Sequence, residues 1–341
     1  MRKKRYEVSH VVVLIIVVSI CLSHCMAYRK GLRTLADDQV MKKTSERRVG
    51  FCAPLEVITA SEVDGDREGT ERPTEDIWEK VEFPPVPKYM LNIHNPVTED
   101  IFISGSTHAQ RIWDPYIWDL FVRILQEAPS GALSRAGLVV DVGANIGYFT
   151  MMAAALGYDV VSFEPMAHNL RKLRSSVRRN GFGSRVTIID RVVAQTAGAR
   201  VVLVATHPTN QGNGHIVNVD TVSNVDRYYS ETTTLDAVLV PMKRDILLMK
   251  IDVEGSETAV LDGAYSIIRE RTVHFITLEI SDATRDNRAC SLVAMLRAMQ
   301  RMGYVISDVT PGAPPLSVDS IDRFPPNILL SLSHVSVPAG M

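Results

Sequence analysis

From Leu138 onward the chain repeats one pattern: a short, nearly all-apolar run rich in β-branched residues, then a longer segment with helical spacing. The runs are GLVVDVG (137–143), DVVSFEP (159–165), RVTIIDR (185–191), ILLMKIDV (246–253) and HFITLEI (274–280). A strand covered on one face alternates apolar and polar positions; one covered on both does not, so these runs predict strands in the middle of three layers. Helices are expected over Tyr148 to Ala155, His168 to Arg179, Glu257 to Arg269 and Ala289 to Met302. Strand and helix in alternation imply a parallel sheet with right-handed crossovers. Towards the end, YVISDV and NILLSLS are separated by a Pro-rich loop and no helix, which predicts an antiparallel edge strand. The fold class is therefore α/β, a mostly parallel sheet with an antiparallel edge strand. Upstream, IFIS (101–104) reads as a short strand and YIWDLFVRILQEA (116–128) as an amphipathic helix with Ile117, Leu120, Phe121, Ile124 and Leu125 on one face.

The first 88 residues follow a different rule. Arg2, Lys3, Lys4 and Arg5 make residues 1–10 a basic tail, and an apolar run from Val11 to Leu22 follows. Residues 11–28 fit a transmembrane anchor or a cleavable signal peptide. About 12 apolar residues are short for a span, but extension to Tyr28 approaches the minimum that crosses a bilayer. The basic cluster favours a cytoplasmic N-terminus, with the remainder in the lumen of the ER or Golgi or outside the cell, and secreted if the segment is cleaved. Residues 29–88 are rich in charge, Thr, Gly and Pro, a composition that buries too little apolar surface to order itself. They are expected to form a disordered stem, with the folded domain at 89–341.

Composition narrows the partners. With 37 Lys plus Arg against 39 Asp plus Glu the net charge is -2, so no overall positive field draws in nucleic acid. The four cysteines form no Cys-x-x-Cys pair; Cys52 and Cys290 are the two that an oxidising compartment would bridge if their geometry allowed.

The densest chemistry lies in VVDVGANIGYFT (139–150), where a buried strand runs into Asp141, Gly143, Asn145 and Gly147 before an apolar helix. Open α/β sheets bind ligands at the carboxyl ends of such strands, and glycines there let backbone approach the ligand. The next strand ends in Glu164, roughly 20 residues on, where an acidic side chain accepts hydrogen bonds from ribose hydroxyls. Together these features point to an adenosine-bearing cofactor. A carboxylate at Asp141 would repel the pyrophosphate of NAD and attract the ammonium of a methionine moiety, so S-adenosylmethionine (SAM) fits better. The plainer alternative is a tight strand-to-helix turn with Asp141 as its cap.

VVDVGANIGYFT, together with LLMKIDVEGSETAVLDGA (247–264) and the intervening TTTLDAVL (232–239), resembles the FkbM family of SAM-dependent methyltransferases over roughly residues 100–332. The resemblance implies a Rossmann-like class I methyltransferase fold, SAM as donor, and methylation of a hydroxyl on a small molecule or glycan. It also implies that Asp141, Gly143, Asn145 and Glu164 hold SAM and that Asp190 lies near the adenine. The chain departs from the family in having Asp190-Arg191-Val192-Val193 where Asn followed by Ala is usual.

Methyl transfer from a sulfonium depends on positioning, and an alcohol acceptor also needs a base. Asp252, at the end of ILLMKIDV, is the first candidate, with Lys250 on the same side of the strand to keep it ionised or to form a structural ion pair with it. Glu279 ends the following strand and reaches the same rim, as a second base or as a structural group. His215, in QGNGHIVNV, has a side chain suited to proton transfer but sits in a segment that reads as an exposed loop. Asp252, Glu254 and His215 have no compact ligand spacing, so no metal is expected. Asp236 is expected to cap a helix or face solvent. Trp113, Tyr116, Trp118 and Tyr148 are candidates for an acceptor-side wall, with Trp118 better placed for the core. Two rival readings stand beside the methyltransferase: an NAD-dependent oxidoreductase, and a non-catalytic domain that keeps the fold.

Overall fold

The computed structural model describes residues 75–127, 137–205, 207, 209–217, 227–270, 273–286, 291–310 and 312–335. The basic tail, the apolar run Val11 to Leu22, residues 29–74 of the expected stem, Cys52 and Cys290 lie outside the described residues. No described helix is long and apolar enough to cross a membrane.

The described chain opens with a hairpin, β1 (Ile77–Val81) and β2 (Tyr89–Ile93), followed by helices α1 (Ile103–His108) and α2 (Pro115–Glu127). The central alternation then runs β3 (Leu138–Val142), α3 (Tyr148–Ala155), β4 (Val160–Phe163), α4 (Ala167–Arg179) and β5 (Val186–Ile189). Next come four strands of a second sheet: β6 (Val192–Val193), β7 (Arg200–Ala205), β8 (Gly214–Val217) and β9 (Arg227–Thr233). The chain returns through α5 (Leu235–Leu239), β10 (Ile246–Ile251), α6 (Glu257–Asp262), α7 (Tyr265–Arg269), β11 (Val273–Glu279), α8 (Asp282–Asp286) and α9 (Leu292–Arg301). It closes on β12 (Tyr304–Asp308) and β13 (Asn327–Leu332).

The main sheet has seven strands in the order β5-β4-β3-β10-β11-β13-β12, and only β13 runs against the rest. The strand order reverses between β3 and β10, so the turns after these two strands face each other across a crevice, the usual ligand site of such sheets. Pleat alternation splits the core in two. Val139, Leu248, Phe275 and Leu329 pack towards the hairpin, α2 and α3, whereas Val140, Met249, Ile276 and Leu330 pack towards α5, α6, α7 and α9. The second sheet is ordered β6-β9-β7-β8 and stands beside the carboxyl ends of the main strands.

Five expectations are corrected. The fold begins before Tyr89, because β1 pairs with β2 along its whole length and β2 is tied to α4: Asn180 bonds the Met90 backbone through both its amide atoms, at 2.8 and 2.7 Å, and Ser176 Oγ accepts from the Asn92 N–H at 2.9 Å. IFIS is not a strand; Ile103 starts α1, because Asp100 accepts the Ser104 N–H and hydroxyl and fixes the first turn. The expected helix Glu257 to Arg269 is two helices, broken at Gly263, where a Cβ would strike the Ala194 carbonyl. The antiparallel strand is not at the edge: β13, buried at four of six positions, fills the slot between β11 and the half-buried β12. Finally, the segment around His215 forms β8 rather than a loop. Asp236 caps a helix as expected, its carboxylate accepting the Ser266 and Ile267 N–H groups that open α7.

Candidate active site

The turn after β3 is held open by unusual backbone. Gly143 has φ +81° and a Cβ there would overlap the Asp252 carbonyl, so only glycine lets the β3 and β10 turns approach this closely. Asn145 follows at φ 52°. Its N–H donates to one oxygen of Glu164 at 2.8 Å, while the Met166 N–H donates to the other at 2.8 Å. Both carboxylate oxygens are thus fixed at the end of β4 with lone pairs to spare. Burial raises the Glu164 pKa to about 7 despite these bonds, with the Asp141 carboxylate adding to the rise.

These groups border a cavity of about 280 Å³. Its opposite wall is the end of β10 and β11, where Lys250, Asp252, Glu254 and Glu279 gather. Lys250 donates to Asp252 at 2.8 Å, with 9% of its side chain exposed against 37% for Asp252. Burial pushes Asp252 up, but the Lys250 charge and hydrogen bonds from Glu279 and Lys250 outweigh it and hold Asp252 below the usual carboxylate range. Glu279 carries the opposite consequence: burial, then the charge and hydrogen bond of Asp252, push it up to about 10. Glu254, at φ 54°, is raised to about 7 by burial and by Asp252 and Glu257. The site therefore pairs an ionised carboxylate with a protonated one beside a buried ammonium.

A short segment covers the cavity. Asn210, Gly212, Gly214 and Ile216 line it, and the Gln211 carbonyl is held by the Asn169 amide at 3.0 Å and the His168 ring at 3.4 Å, both on α4. The Ile101 N–H donates to Thr209 at 3.1 Å, tying the same segment to the start of α1.

Residues 141–306 match the methyltransferase FkbM domain. This chain carries an FkbM-family methyltransferase domain. It is a SAM-dependent methyltransferase, a match that sets aside the oxidoreductase reading. No curated protein matches the chain. Among solved structures it is similar to an rRNA methylase from Streptococcus thermophilus, at 12% identity and TM-score 0.36, over 63% of this chain and 95% of that one. It is also similar to a TehB-like SAM-dependent methyltransferase from Corynebacterium glutamicum, at 10% identity and TM-score 0.35, over 67% and 92% of the two chains. A third is the C-terminal domain of precorrin-6Y C5,15-methyltransferase from Rhodobacter capsulatus, at 13% identity and TM-score 0.33, over 65% and 90%. None of the three bears on the acceptor of this chain.

Within the FkbM domain, Gly143, Asn145, Glu164, Asp252 and Glu279 share one cavity. Four other candidates do not line it. Asp141 is buried beneath the wall, accepting the Thr150 hydroxyl at 2.6 Å, because the pleat turns it towards Lys250, its register partner on β10. Gly147, at φ 92°, opens α3 against Leu173, where a Cβ would not fit. Asp190 is exposed and pairs with Arg174 on α4 at 3.1 Å; Arg191 lines the cavity in its place. His215 alternates with Gly214 and Ile216 on β8 and is turned off the wall; its ring meets the Glu254 carbonyl at 3.1 Å and Asn213 at 2.9 Å, fastening β8 to the β10 turn. Of the aromatics, Trp113 and Tyr148 line the cavity, with Tyr148 OH accepting the Trp113 N–H at 3.3 Å, while Trp118 is core and Tyr116 is exposed.

Two functional groups were not anticipated. Glu257, fully buried, accepts the Val253 and Gly255 N–H groups and the Thr284 hydroxyl, and so fixes the turn that presents Asp252 and Glu254. The clue was present in KIDVEGSE, since an acidic residue at the first position of a helix is placed to collect turn N–H groups. The second is Asp114, which accepts the Ile117 N–H at 3.2 Å and the Asn327 amide at 3.2 Å, and so ties α2 to β13 beside Lys250.

Proposed function

We propose that this domain methylates a hydroxyl oxygen of a small molecule or glycan, with the acceptor seated between Trp113 and the Asp252–Glu279 pair. The observation that carries the reading is the Lys250-bonded Asp252 carboxylate in the same cavity as Glu164. The residues present fit SAM: Glu164 offers two fixed acceptor oxygens, and the Gly143 and Asn145 backbone leaves the crevice open beside them. SAM supplies an electrophilic methyl group on a sulfonium. On this reading Glu164 accepts the ribose hydroxyls, Asn145 sets the carboxylate's orientation, and the cover from Asn210 to Gly214 excludes water. Asp252 accepts the hydrogen of the acceptor hydroxyl and takes its proton as the oxygen attacks, while Lys250 keeps the carboxylate ionised until then. The same reading keeps the domain tethered to a membrane through residues 11–28, facing the lumen or the outside, which suits glycans or secreted metabolites as acceptors. Nucleic acid has no part in it.

The test is calorimetric titration of SAM into the full chain, followed by transfer of labelled methyl from SAM to panels of hydroxyl and amine acceptors. Asp252→Asn is expected to leave SAM affinity within about twofold and to lower transfer by about 10²- to 10⁴-fold, the usual contribution of a positioned base. Transfer to amines alone, or full transfer by Asp252→Asn, overturns the reading.

A further inference from the structure

Beyond Asp252 and Glu279 the cavity runs into a second pocket of about 50 Å³, lined also by Trp113, Asp114, Thr277 and Asn327. At its mouth one oxygen from each of Asp252, Glu254 and Glu279 lies within 4.8 Å of the other two. Metal–oxygen bonds of about 2.0–2.6 Å place ligands on opposite sides of one ion about 4–5 Å apart, so a single cation spans this cluster. An acidic cluster alone is common; the pocket behind it adds an independent observation. Thr277 is 2% exposed, yet its hydroxyl has no hydrogen-bond partner. It lies on the same face of β11 as Glu279, whose second oxygen is likewise buried and unpartnered. Two buried oxygens facing one small pocket without partners mark a place for a polar occupant.

The donors decide what that occupant is. Beside the Lys250 ammonium the polar lining is carboxylates, a hydroxyl and an amide, a set of oxygen donors, and no cysteine or histidine lines the pocket among the described residues. Such a set selects hard cations, Mg²⁺, Mn²⁺ or Ca²⁺, over zinc or copper. Lys250 donates to one Asp252 oxygen at 2.8 Å, and an ion would take the place of the hydrogen bond that now joins Asp252 to Glu279. We propose that Asp252, Glu254 and Glu279 bind a hard divalent cation, with Thr277 holding a water of its coordination shell, in contrast to the absence of a metal expected from ligand spacing. The cation's role rests on the O-methylation reading: it would face the acceptor, polarise the hydroxyl to be methylated and favour acceptors that offer two adjacent oxygens.

Mn²⁺ itself is the probe. Free Mn²⁺ gives a six-line electron paramagnetic resonance signal that is lost on binding, and the full chain is expected to quench it at one saturable site from which excess Mg²⁺ or Ca²⁺ displaces it. Glu279→Gln and Asp252→Asn should each weaken Mn²⁺ binding about tenfold or more, as loss of a charged ligand does, with SAM affinity unchanged within about twofold. Thr277→Val should weaken it less, and Glu254→Gln replaces either acidic variant that fails a circular-dichroism check of folding. An undiminished signal with wild type, or variants that bind as wild type does, overturns the site. SAM titrated in parallel separates the two claims: SAM binding without Mn²⁺ removes only the cation, and Mn²⁺ binding without SAM leaves the cation site and removes the methyl-transfer role.

Discussion

Glu164 is the residue whose chemistry is most open to a simple measurement. Without ligand its pKa stands at about 7, and only the carboxylate can accept two ribose hydroxyls. SAM binding must therefore displace a proton below pH 7 and need not above it. Affinity is expected to rise with pH and level off above about 7.5, falling about tenfold per pH unit on the acid side; Glu164→Gln should bind weakly with that step removed. A wild-type affinity flat from pH 5.5 to 8 would separate Glu164 from the ribose. Its place at the cavity was readable because a strand end and a spacing of 19 residues from Asn145 suffice to position it. Asp141 and His215 lie off the cavity wall for one shared reason: which side of a pleat a side chain takes depends on register, and register is not written in motif spacing; Asp190, just past the end of β5, pairs with Arg174 at the surface instead. Asp141 faces its partner Lys250, and His215 faces away between two cavity-lining neighbours.

The cover from Thr209 to Gly214 and the strand β8 behind it show how an element acts where no motif marks it. Gly212 packs so closely over the cofactor turn that a Cβ would overlap the Asn145 amide nitrogen. Gly212→Ala is expected to lift the cover and weaken SAM roughly tenfold, within the ~1–3 kcal/mol that overpacking costs, while leaving the thermal midpoint within a few degrees, since the cover packs on few core groups. An unchanged SAM affinity would mean that the cover takes no part in binding. The main strands were legible because burial on both faces makes them nearly all apolar. The second sheet was not, because β8 has only four residues and β9 is half-buried, so that their pattern resembles a loop. The break at Gly263 was hidden as well: it follows from contact with Ala194, 69 positions earlier in the chain.

Two neighbouring histidines link the whole domain's stability to acidity. His168, 8% exposed, lies between the tilted rings of His94 at 5.4 Å and Tyr228 at 5.1 Å. Burial, then the His94 ring, lower its pKa to about 3 from 6.5. The folded state therefore binds fewer protons than the unfolded chain between those values, so this contribution is complete above pH 6.5 and is lost as pH falls towards 3. Stability is expected to fall by about 1 kcal/mol per pH unit on that account, or roughly 2–4 °C in the thermal midpoint. His168→Gln should flatten the acid limb between pH 6.5 and 5; an identical slope in both proteins would refute the assignment. Because His168 also holds Gln211, the cover should loosen first.

The place of β13 sets a condition on how the molecule is made. It leaves the ribosome after β11 and β12, yet it sits between them and brings Asn327 to the Asp114 end of the second pocket. Until it arrives β11 is an open edge, the kind of surface on which partly made chains pair with one another. Synthesis can thus complete the cofactor crevice well before it completes the pocket beside it, and a chain stalled after β12 would hold a finished crevice next to an unfinished pocket.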